Sequence, residues 1–340
     1  MDVMLELDNK EKRFGKPSGR YMLRSLFLSL SKANWAQRTI VNWPFAWNLA
    51  SRFVAGETQL AAIEVVRQLN DAGIYATLDH LGENTRDEVE AVAAAKEVCE
   101  LLDRIATVGV ISNVSIKLSQ IGLTVNSDLC QTLLFNILDK AATTANFIRI
   151  DMEDSSLTEA TIALYLKALQ RGYDRVGIVI QSYLYRSQAD IENICQQGGR
   201  IRLCKGAYRE PSTVAYPQKS DVDQNYDRLS SWLLQFSRQN CEEERTLQGK
   251  IPPIFAAATH DEKRIAHILN NQRLLGLPKH MIEFQMLYGI RRDLQQQLAA
   301  DGYPVRVYIP YGTHWYPYFM RRLAERPANV WFFVSSLFKK

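Results

Sequence analysis

Charged and polar residues that could bind or transform a small molecule recur at the ends of short apolar runs in this sequence. They are Asp79, His80, Lys117, Asp151, Gln181, Arg202, Lys205, Thr259, His260, Glu283, Gln285 and Tyr308. A single buried Lys or Asp usually belongs to a structural ion pair, because an unpaired buried charge is costly. So many polar residues at equivalent positions favour a different interpretation. We predict that they converge on one functional opening, called the mouth below.

The predicted mouth has an excess of positive charge. Lys117, Arg202 and Lys205 are cationic, and Asp151 offsets only part of their charge. Such a mouth suits an anionic ligand that carries a carboxylate, a phosphate or both. A lysine in this setting, Lys117 or Lys205, could instead be the nucleophile of a Schiff-base lyase.

Two adjacent arginines, Arg321 and Arg322, lie in an amphipathic segment near the carboxyl end of the sequence. Glu325 follows Arg321 by four residues and Arg322 by three. Taken alone, this spacing is typical of a solvated helix face with a stabilising ion pair. If the helix reached over the mouth, both arginines would add to its positive charge.

The usual sequence motifs for phosphate and metal binding are absent. No Gly-x-Gly-x-x-Gly, no P-loop and no His-x-x-x-His occurs, so neither a Rossmann site nor a metal site is predicted. Two weaker candidates for anion contacts remain. One is Lys205-Gly206-Ala207, where glycine permits a close backbone approach, and the other is Thr259-His260 at the start of a predicted helix.

Eight short apolar runs, each followed by an amphipathic stretch, would position these residues. The runs are 74–80, 113–118, 147–152, 176–181, 200–205, 253–258, 281–285 and 305–309. They are apolar on both faces, as strands of a buried parallel sheet are. Eight strand–helix units predict a closed (β/α)₈ TIM barrel, with its mouth at the carboxyl ends of the strands. A doubly wound open sheet is the alternative.

A length of 340 residues would allow two domains. The run count favours one barrel over 51–340, preceded by a helical segment over 1–50 that acts as a lid or brace. The long connection over 206–220 contains two prolines and is predicted to be a functional loop.

Composition narrows the class of protein. Hydrophobic residues make up 46% and charged residues 23%, which is typical of a globular chain, and a net charge of +4 is too small to indicate nucleic-acid binding. Five cysteines without a Cys-x-x-Cys pair indicate reduced thiols. With no signal-peptide pattern or membrane-length apolar run, we expect a cytoplasmic protein. The apolar segment 330–338 is expected to pack on the body, or alternatively to contact a membrane surface.

Nine ordered motifs resemble the proline dehydrogenase family, and most closely its monofunctional bacterial members. They are RFVAGET (52–58), TLDHLGEN (77–84), VSIKLSQIGL (114–123), RIDMEDS (149–155), IQSYLYR (180–186), RLCKGAYREP (202–211), ATHDE (258–262), EFQMLYGIRRDL (283–294) and YPYFMRRLAERPANV (316–330). The resemblance implies a distorted (β/α)₈ barrel that binds FAD at the strand ends without a Rossmann domain. It also implies oxidation of L-proline to Δ1-pyrroline-5-carboxylate and electron transfer to a membrane quinone.

The resemblance assigns roles to many of the candidate residues, and it replaces the solvated-face interpretation of the arginine pair. It implies that Asp151 and Arg202 are catalytic. The implied substrate site comprises Lys117, Arg321, Arg322 and Glu325, with a pocket wall of Tyr208, Leu287, Tyr308 and Tyr318. The implied FAD contacts are Met152, Gln181, Arg202, Lys205, Gly206, Ala207, Thr259 and His260. Peripheral membrane contact and oligomerisation stay open.

Apart from the resemblance, three interpretations compete with a proline dehydrogenase. They are the Schiff-base lyase, another flavin barrel such as a folate reductase, and a barrel that binds ligands without catalysis. The density of charge at the strand ends argues against the last of these.

Overall fold

The computed structural model describes residues 29–30, 44–82, 85–240 and 249–325. Eight parallel strands pair in chain order, and the last pairs with the first to close a barrel. They are β1 (Tyr75–His80), β2 (Ser112–Ile116), β3 (Ile148–Ile150), β4 (Val176–Gln181), β5 (Ile201–Cys204), β6 (Phe255–Ala258), β7 (Ile282–Leu287) and β8 (Val305–Tyr311). Each strand overlaps one predicted run. The predicted (β/α)₈ barrel is therefore confirmed, and the open sheet is excluded.

Ten helices surround or cover the barrel within the described ranges. They are α1 (Pro44–Ala50), α2 (Gln59–Asp71), α3 (Glu88–Val108), α4 (Ser127–Thr143), α5 (Ser155–Gln170), α6 (Ser187–Gln196), α7 (Lys219–Gln239), α8 (Glu262–Leu275), α9 (Arg292–Ala300) and α10 (Trp315–Glu325). Aspartate or asparagine side chains cap several of them. Asp87, Asn126, Asp154 and Asp261 each accept a hydrogen bond from a backbone N–H of the first turn.

The two faces of each strand have different chemistry. Side chains such as Ile148, Ile150 and Ile178 pack with helix residues in the main apolar core. The alternate positions point into the barrel and are often charged. Arg306 on β8 donates to Glu283 on β7 at 2.8 Å and to the Ala76 carbonyl oxygen at 2.7 Å. The strands contain few exposed positions, because one face packs against the helices and the other faces the barrel interior.

The barrel departs from the regular pattern at its last helix. α2, which precedes β1, packs against both β1 and β8, where the helix after β8 would otherwise lie. α10 instead shares an apolar cluster with α1, with Leu81 after β1, and with Ile290 after β7. α10 therefore lies across the carboxyl end of the barrel, which confirms the predicted distortion. Of the predicted segment 1–50, only residues 29–30 and 44–50 lie within the described residues, so the domain boundary at residue 50 stays a prediction.

Residues 52–57, here called the strap, connect α1 to α2 along the rim of the barrel. Ala55 N donates to the Pro310 carbonyl oxygen at 3.0 Å, and Gly312 N donates to the Gly56 carbonyl oxygen at 2.9 Å. On its other side, the strap lies against Gly289 after β7. A Cβ at Gly289 would be 1.7 Å from the Arg52 carbonyl oxygen. Glycine is thus required at position 289 for the strap to follow this path.

The strap contact predicts a large cost for Gly289→Ala. Gly172→Ala is the matched control, because both glycines have positive φ (76° and 86°) but nothing lies within 4 Å of a Cβ at Gly172. We expect Gly172→Ala to lose about 1 kcal/mol from backbone strain, and Gly289→Ala to lose about 3 kcal/mol from strain and overpacking. Thermal or denaturant unfolding measures both. Equal losses of unfolding free energy in the two variants would contradict the close contact between the strap and Gly289.

Candidate active site

Asp151 joins four strands at the mouth of the barrel. It directly follows β3, and its Oδ1 accepts hydrogen bonds from Arg202 Nη1 at 2.8 Å and from Ser115 Oγ at 3.0 Å. Its Oδ2 accepts a hydrogen bond from the Tyr308 hydroxyl at 2.7 Å. The Arg202 guanidinium lies 5.4 Å from the centre of the Tyr308 ring. Two predicted catalytic residues and one predicted wall residue are therefore in direct contact.

Burial sets the protonation of Tyr308 in this group. Burial raises the pKa of the Tyr308 hydroxyl well above its ordinary value, and the Asp151 carboxylate raises it further. The phenol therefore keeps its proton and remains a hydrogen-bond donor to Asp151. Asp151, with three donors around it, is held in one orientation.

Lys117 forms a second buried ion pair beside this group. It directly follows β2, and its Nζ lies 3.2 Å from both carboxylate oxygens of Asp79 on β1. Asp79 is 1% exposed. Burial raises the pKa of the Asp79 carboxyl above its ordinary value, Lys117 opposes this shift, and Asp151 reinforces it. Asp79 was predicted to lie at a strand end, but no role was predicted for it.

The predicted cofactor contacts form an arc from β3 to β6. Gln181 Nε2 at the end of β4 donates to the carbonyl oxygens of Met152 at 3.2 Å and Glu153 at 3.1 Å. Lys205, just after β5, donates to Asp223 at 2.5 Å and to Asp261 at 2.6 Å. Thr259 accepts from Asp261 N at 3.1 Å, so Lys205 and Thr259 share Asp261 as a neighbour. The arc follows the carboxyl ends of successive strands.

The loop after β5 is held against the loop after β4. Gly206 has a φ of 108°, and a Cβ there would be 2.5 Å from the Tyr183 ring. Glu210 accepts a hydrogen bond from Ser155 N at 2.8 Å, at the start of α5. Ala207 and Tyr208, between these two anchors, are exposed, and Tyr208 retains 40% of its accessible surface. The role of Tyr208 as a pocket wall stays a prediction.

The remaining predicted substrate residues lie on α10 or below it. Arg321 and Arg322 are half-buried, and the Arg322 guanidinium lies 5.1 Å from the centre of the Tyr318 ring. Leu287 ends β7 and packs against the α10 cluster, and its N–H donates to His260 Nε2 at 3.0 Å. Glu325 is the last residue of α10, and its side chain lies outside the described residues.

Several residues that hold the site received no role in the sequence analysis. Ser115 is two residues before Lys117 in the chain, so the alternation of a strand places both on the inner face. That spacing was the available signal for Ser115. Glu210 and Asp223 had no comparable signal, because they come from distant loops and helices.

A (β/α)₈ barrel with ion-paired arginine, lysine and aspartate residues at the carboxyl ends of its strands has the arrangement of TIM-barrel enzymes, whose active sites lie at this end. Within the described part of the chain, no helix is long and apolar enough to cross a membrane. The segment 330–338, for which a membrane contact was an alternative, lies outside the described residues.

Comparisons with known proteins give the family. The family model for proline dehydrogenase matches residues 62–334. Proline dehydrogenase from Deinococcus radiodurans is 43% identical over 297 residues, which are 86% of this chain and 91% of that protein. Proline dehydrogenase 1 from Bacillus subtilis is 39% identical over 322 residues, 94% of this chain and 100% of that protein.

One solved structure with the same fold is proline utilization A (PutA) from Bdellovibrio bacteriovorus, inactivated by N-propargylglycine. Its TM-score is 0.74 at 23% sequence identity, and the match covers 89% of this chain but 36% of the longer one. The chain described here belongs to the proline dehydrogenase family. It is an oxidoreductase, and its activity is the first step of proline catabolism. The resemblance inferred from the nine motifs is thereby confirmed.

The ion pair between Lys205 and Asp261 predicts a pH-dependent contribution to stability. Burial alone would raise the pKa of Asp261, but the hydrogen bond and charge of Lys205 hold it below its ordinary value. A lowered folded-state pKa stabilises the protein above the unfolded-state pKa, and this contribution is lost as the pH falls through the folded-state value. Asp261→Asn should therefore destabilise the protein by about 1 kcal/mol at pH 7, and the difference should vanish only once the pH is below the folded-state pKa, which lies under the ordinary aspartate value of about 4.

Urea unfolding at a series of pH values measures this difference. Asparagine still caps a helix, so Asp261→Asn removes the charge while it retains the cap of α8. Asp87→Asn, at the exposed cap of α3, is the matched control and should show little pH-dependent change. An equal pH profile for the two variants would contradict the assigned role of Lys205.

Proposed function

We propose that this chain oxidises L-proline to Δ1-pyrroline-5-carboxylate with FAD bound across the carboxyl ends of the strands. The observation that carries the proposal is the state of Arg202. Its Nη1 is fixed by Asp151 and Ser115, whereas its Nε and Nη2 make no hydrogen bond within the described residues. Arg202 is only 5% exposed, and unused N–H groups are costly at such a depth unless a ligand accepts from them.

The residues present fit a flavin. The unused donors of Arg202 suit the acceptor atoms of the flavin ring. Gln181 contributes a buried Oε1 without a partner in the described part of the chain, which suits a ring N–H. Met152, Lys205, Gly206, Ala207, Thr259 and His260 would hold the rest of the cofactor. The missing Cβ of Gly206 lets this loop pack against the Tyr183 ring, at the strand ends where the cofactor would lie.

The chemistry that FAD supplies when bound is hydride acceptance at N5, from the carbon next to the proline nitrogen, followed by delivery of the electrons to a membrane quinone. The side chains of the barrel then have three tasks. They orient the substrate, they exclude water from the mouth, and they place charge where it favours the reaction.

Substrate orientation falls to the cationic residues above and inside the mouth. Arg321 and Arg322 would bind the proline carboxylate, since a planar guanidinium matches two carboxylate oxygens. Lys117 and Glu325 would complete the polar part of the site. Tyr208, Leu287, Tyr308 and Tyr318 would form its wall and limit the size of the ring that fits.

The charged groups at the mouth also favour the reactive form of the substrate. The proline nitrogen must be neutral for its lone pair to support the developing iminium. The Lys117 ammonium disfavours a second cation beside it, and Asp79 fixes the position of this ammonium. Asp151 and Arg202 act as the catalytic pair, because Asp151 orients the guanidinium that would contact the flavin.

The Schiff-base alternative requires a lysine with a free amine lone pair. Lys117 donates to Asp79, and Lys205 donates to Asp223 and Asp261. Both candidate lysines are therefore engaged in ion pairs, which supports the flavin proposal over the lyase. Cytoplasmic location with peripheral membrane contact, and delivery of electrons to quinone, are part of the same proposal.

Visible spectroscopy of the purified protein tests the proposal as a whole. We expect a yellow protein whose long-wavelength flavin band bleaches when L-proline is added without oxygen. A colourless protein that is trapped on its substrate by borohydride would instead support the Schiff-base lyase.

Substitution of the arginine pair tests the substrate site. Arg321→Met or Arg322→Met should weaken proline binding about 10- to 150-fold, which corresponds to one charge-assisted contact of about 1.5–3 kcal/mol. Flavin occupancy, read from the ratio of visible to ultraviolet absorbance, should stay unchanged. Lys205→Met should give the opposite result, with reduced flavin occupancy. Unchanged proline affinity in both arginine variants would refute the carboxylate clamp.

A further inference from the structure

We propose that Glu57 is a positioning residue for substrate binding. Its carboxylate would hold the first turn of α10 in place by accepting a hydrogen bond from Trp315. Because α10 is a rigid helix, this bond would also set the positions of Arg321 and Arg322. This inference rests on the proposed role of the two arginines. The strap that contains Glu57 received no role in the site described above.

The contact between Glu57 and Trp315 is directional and involves a buried group. Trp315 is the first residue of α10 and is 1% exposed. Its indole Nε1 donates to Glu57 Oε1 at 3.0 Å. A buried indole N–H that loses its acceptor is costly, so this bond selects one placement of the ring.

The indole also connects α10 to α1. Its ring centre lies 5.4 Å from that of Trp47 on α1 in an edge-to-face arrangement, and 6.1 Å from that of Phe319, one turn along α10. Apolar packing of this kind resists separation but constrains rotation weakly. The hydrogen bond to Glu57 adds the missing directional constraint, as does the bond from the Tyr316 hydroxyl to the Leu30 carbonyl oxygen at 3.1 Å.

Glu57 has a fixed position relative to the barrel, because the strap is hydrogen-bonded to the barrel wall. The residue before it, Gly56, accepts from Gly312 N at 2.9 Å, and Ala55 N donates to Pro310 at 3.0 Å. The residue after it, Thr58, caps α2 by accepting from Ala61 N at 3.2 Å. Glu57 is therefore held between β8 and α2, and its position relative to the mouth is set by the barrel itself.

The placement of Trp315 sets the placement of Arg322, because the two residues are a short distance apart on the same helix. Arg322 follows Trp315 by seven residues, which is about two turns or 10 Å. Residues seven apart lie on the same face of a helix, so a rotation of Trp315 about the axis of α10 would move Arg322 by the same angle. A bidentate contact with a carboxylate tolerates little such rotation. Loss of the Glu57 contact would therefore weaken substrate binding without touching the substrate.

Steady-state kinetics of the holoenzyme tests the inference. Glu57→Ala and Trp315→Phe should each raise the KM for proline about 5-fold, as expected for one hydrogen bond, with kcat changed less than about 2-fold. Flavin occupancy should be that of the wild type. Glu57→Gln retains an amide oxygen that can accept from the indole, and it should restore a KM near the wild-type value. The double variant Glu57→Ala/Trp315→Phe should be no worse than either single variant.

Glu64→Ala, which removes an equivalent exposed charge from α2, is the matched control and should leave the KM unchanged. An unchanged KM in Glu57→Ala would overturn the inference, as would a Glu57→Gln variant as impaired as Glu57→Ala. A fall in flavin occupancy and kcat without a change in KM would also overturn the inference, since it would indicate a general structural role.

The arginine variants separate failure of this inference from failure of the proposed function. If the arginine substitutions also leave proline affinity unchanged, the carboxylate clamp fails, and the role of Glu57 fails with it. A defect in the arginine variants alone would refute only the role of Glu57.

Discussion

The hydrogen bond between Arg202 and Asp151 is the interaction on which the mouth of this barrel depends. A guanidinium at this depth needs a counter-ion, and breaking such a pair leaves an uncompensated buried charge. Asp151 meets this need at 2.8 Å and is itself oriented by Ser115 and Tyr308. The four residues belong to or follow β2, β3, β5 and β8, so the group connects opposite walls of the barrel. Among the described residues, Nε and Nη2 of Arg202 have no acceptor, and the proposed function assigns them to a ligand.

Charge in this protein is organised locally. The net charge of +4 is small for 340 residues, yet Lys117 follows β2, and Arg202 and Lys205 lie in and just after β5, at the same end of the barrel. Each of these cations is paired with at least one aspartate in the described structure. The pairing makes burial of the cations tolerable and fixes their directions. An anionic ligand would therefore meet preorganised groups, which costs less entropy than ordering mobile side chains on binding.

The last helix, α10, covers the mouth of the barrel, whereas in a regular (β/α)₈ barrel it would pack against the outer wall. Because α2 packs between β1 and β8, α10 is released from the barrel wall and can lie across the mouth. The strap joins α1 to α2 beside β8, so it follows from the same placement of α2. The placement of α2 therefore leaves α10 over the mouth and also positions Glu57 of the strap, which contacts α10. In the proposed function, this helix would also shield a cofactor bound at the strand ends from water.

The barrel could be predicted from the sequence, because strands buried on both faces leave a local signal. The run over 176–181 coincides with β4, and the other seven runs overlap their strands within a few residues. Polar residues at the ends of these runs indicated the mouth, and the motifs indicated the family and the residue roles that are proposed above. Which of these groups meet depends on the three-dimensional fold. The Asp79–Lys117 pair joins residues 38 apart in the chain, and the Glu57–Trp315 contact joins residues 258 apart. No local pattern encodes such contacts, because the first forms when β1 pairs with β2 and the second when barrel closure brings the first and last strands together.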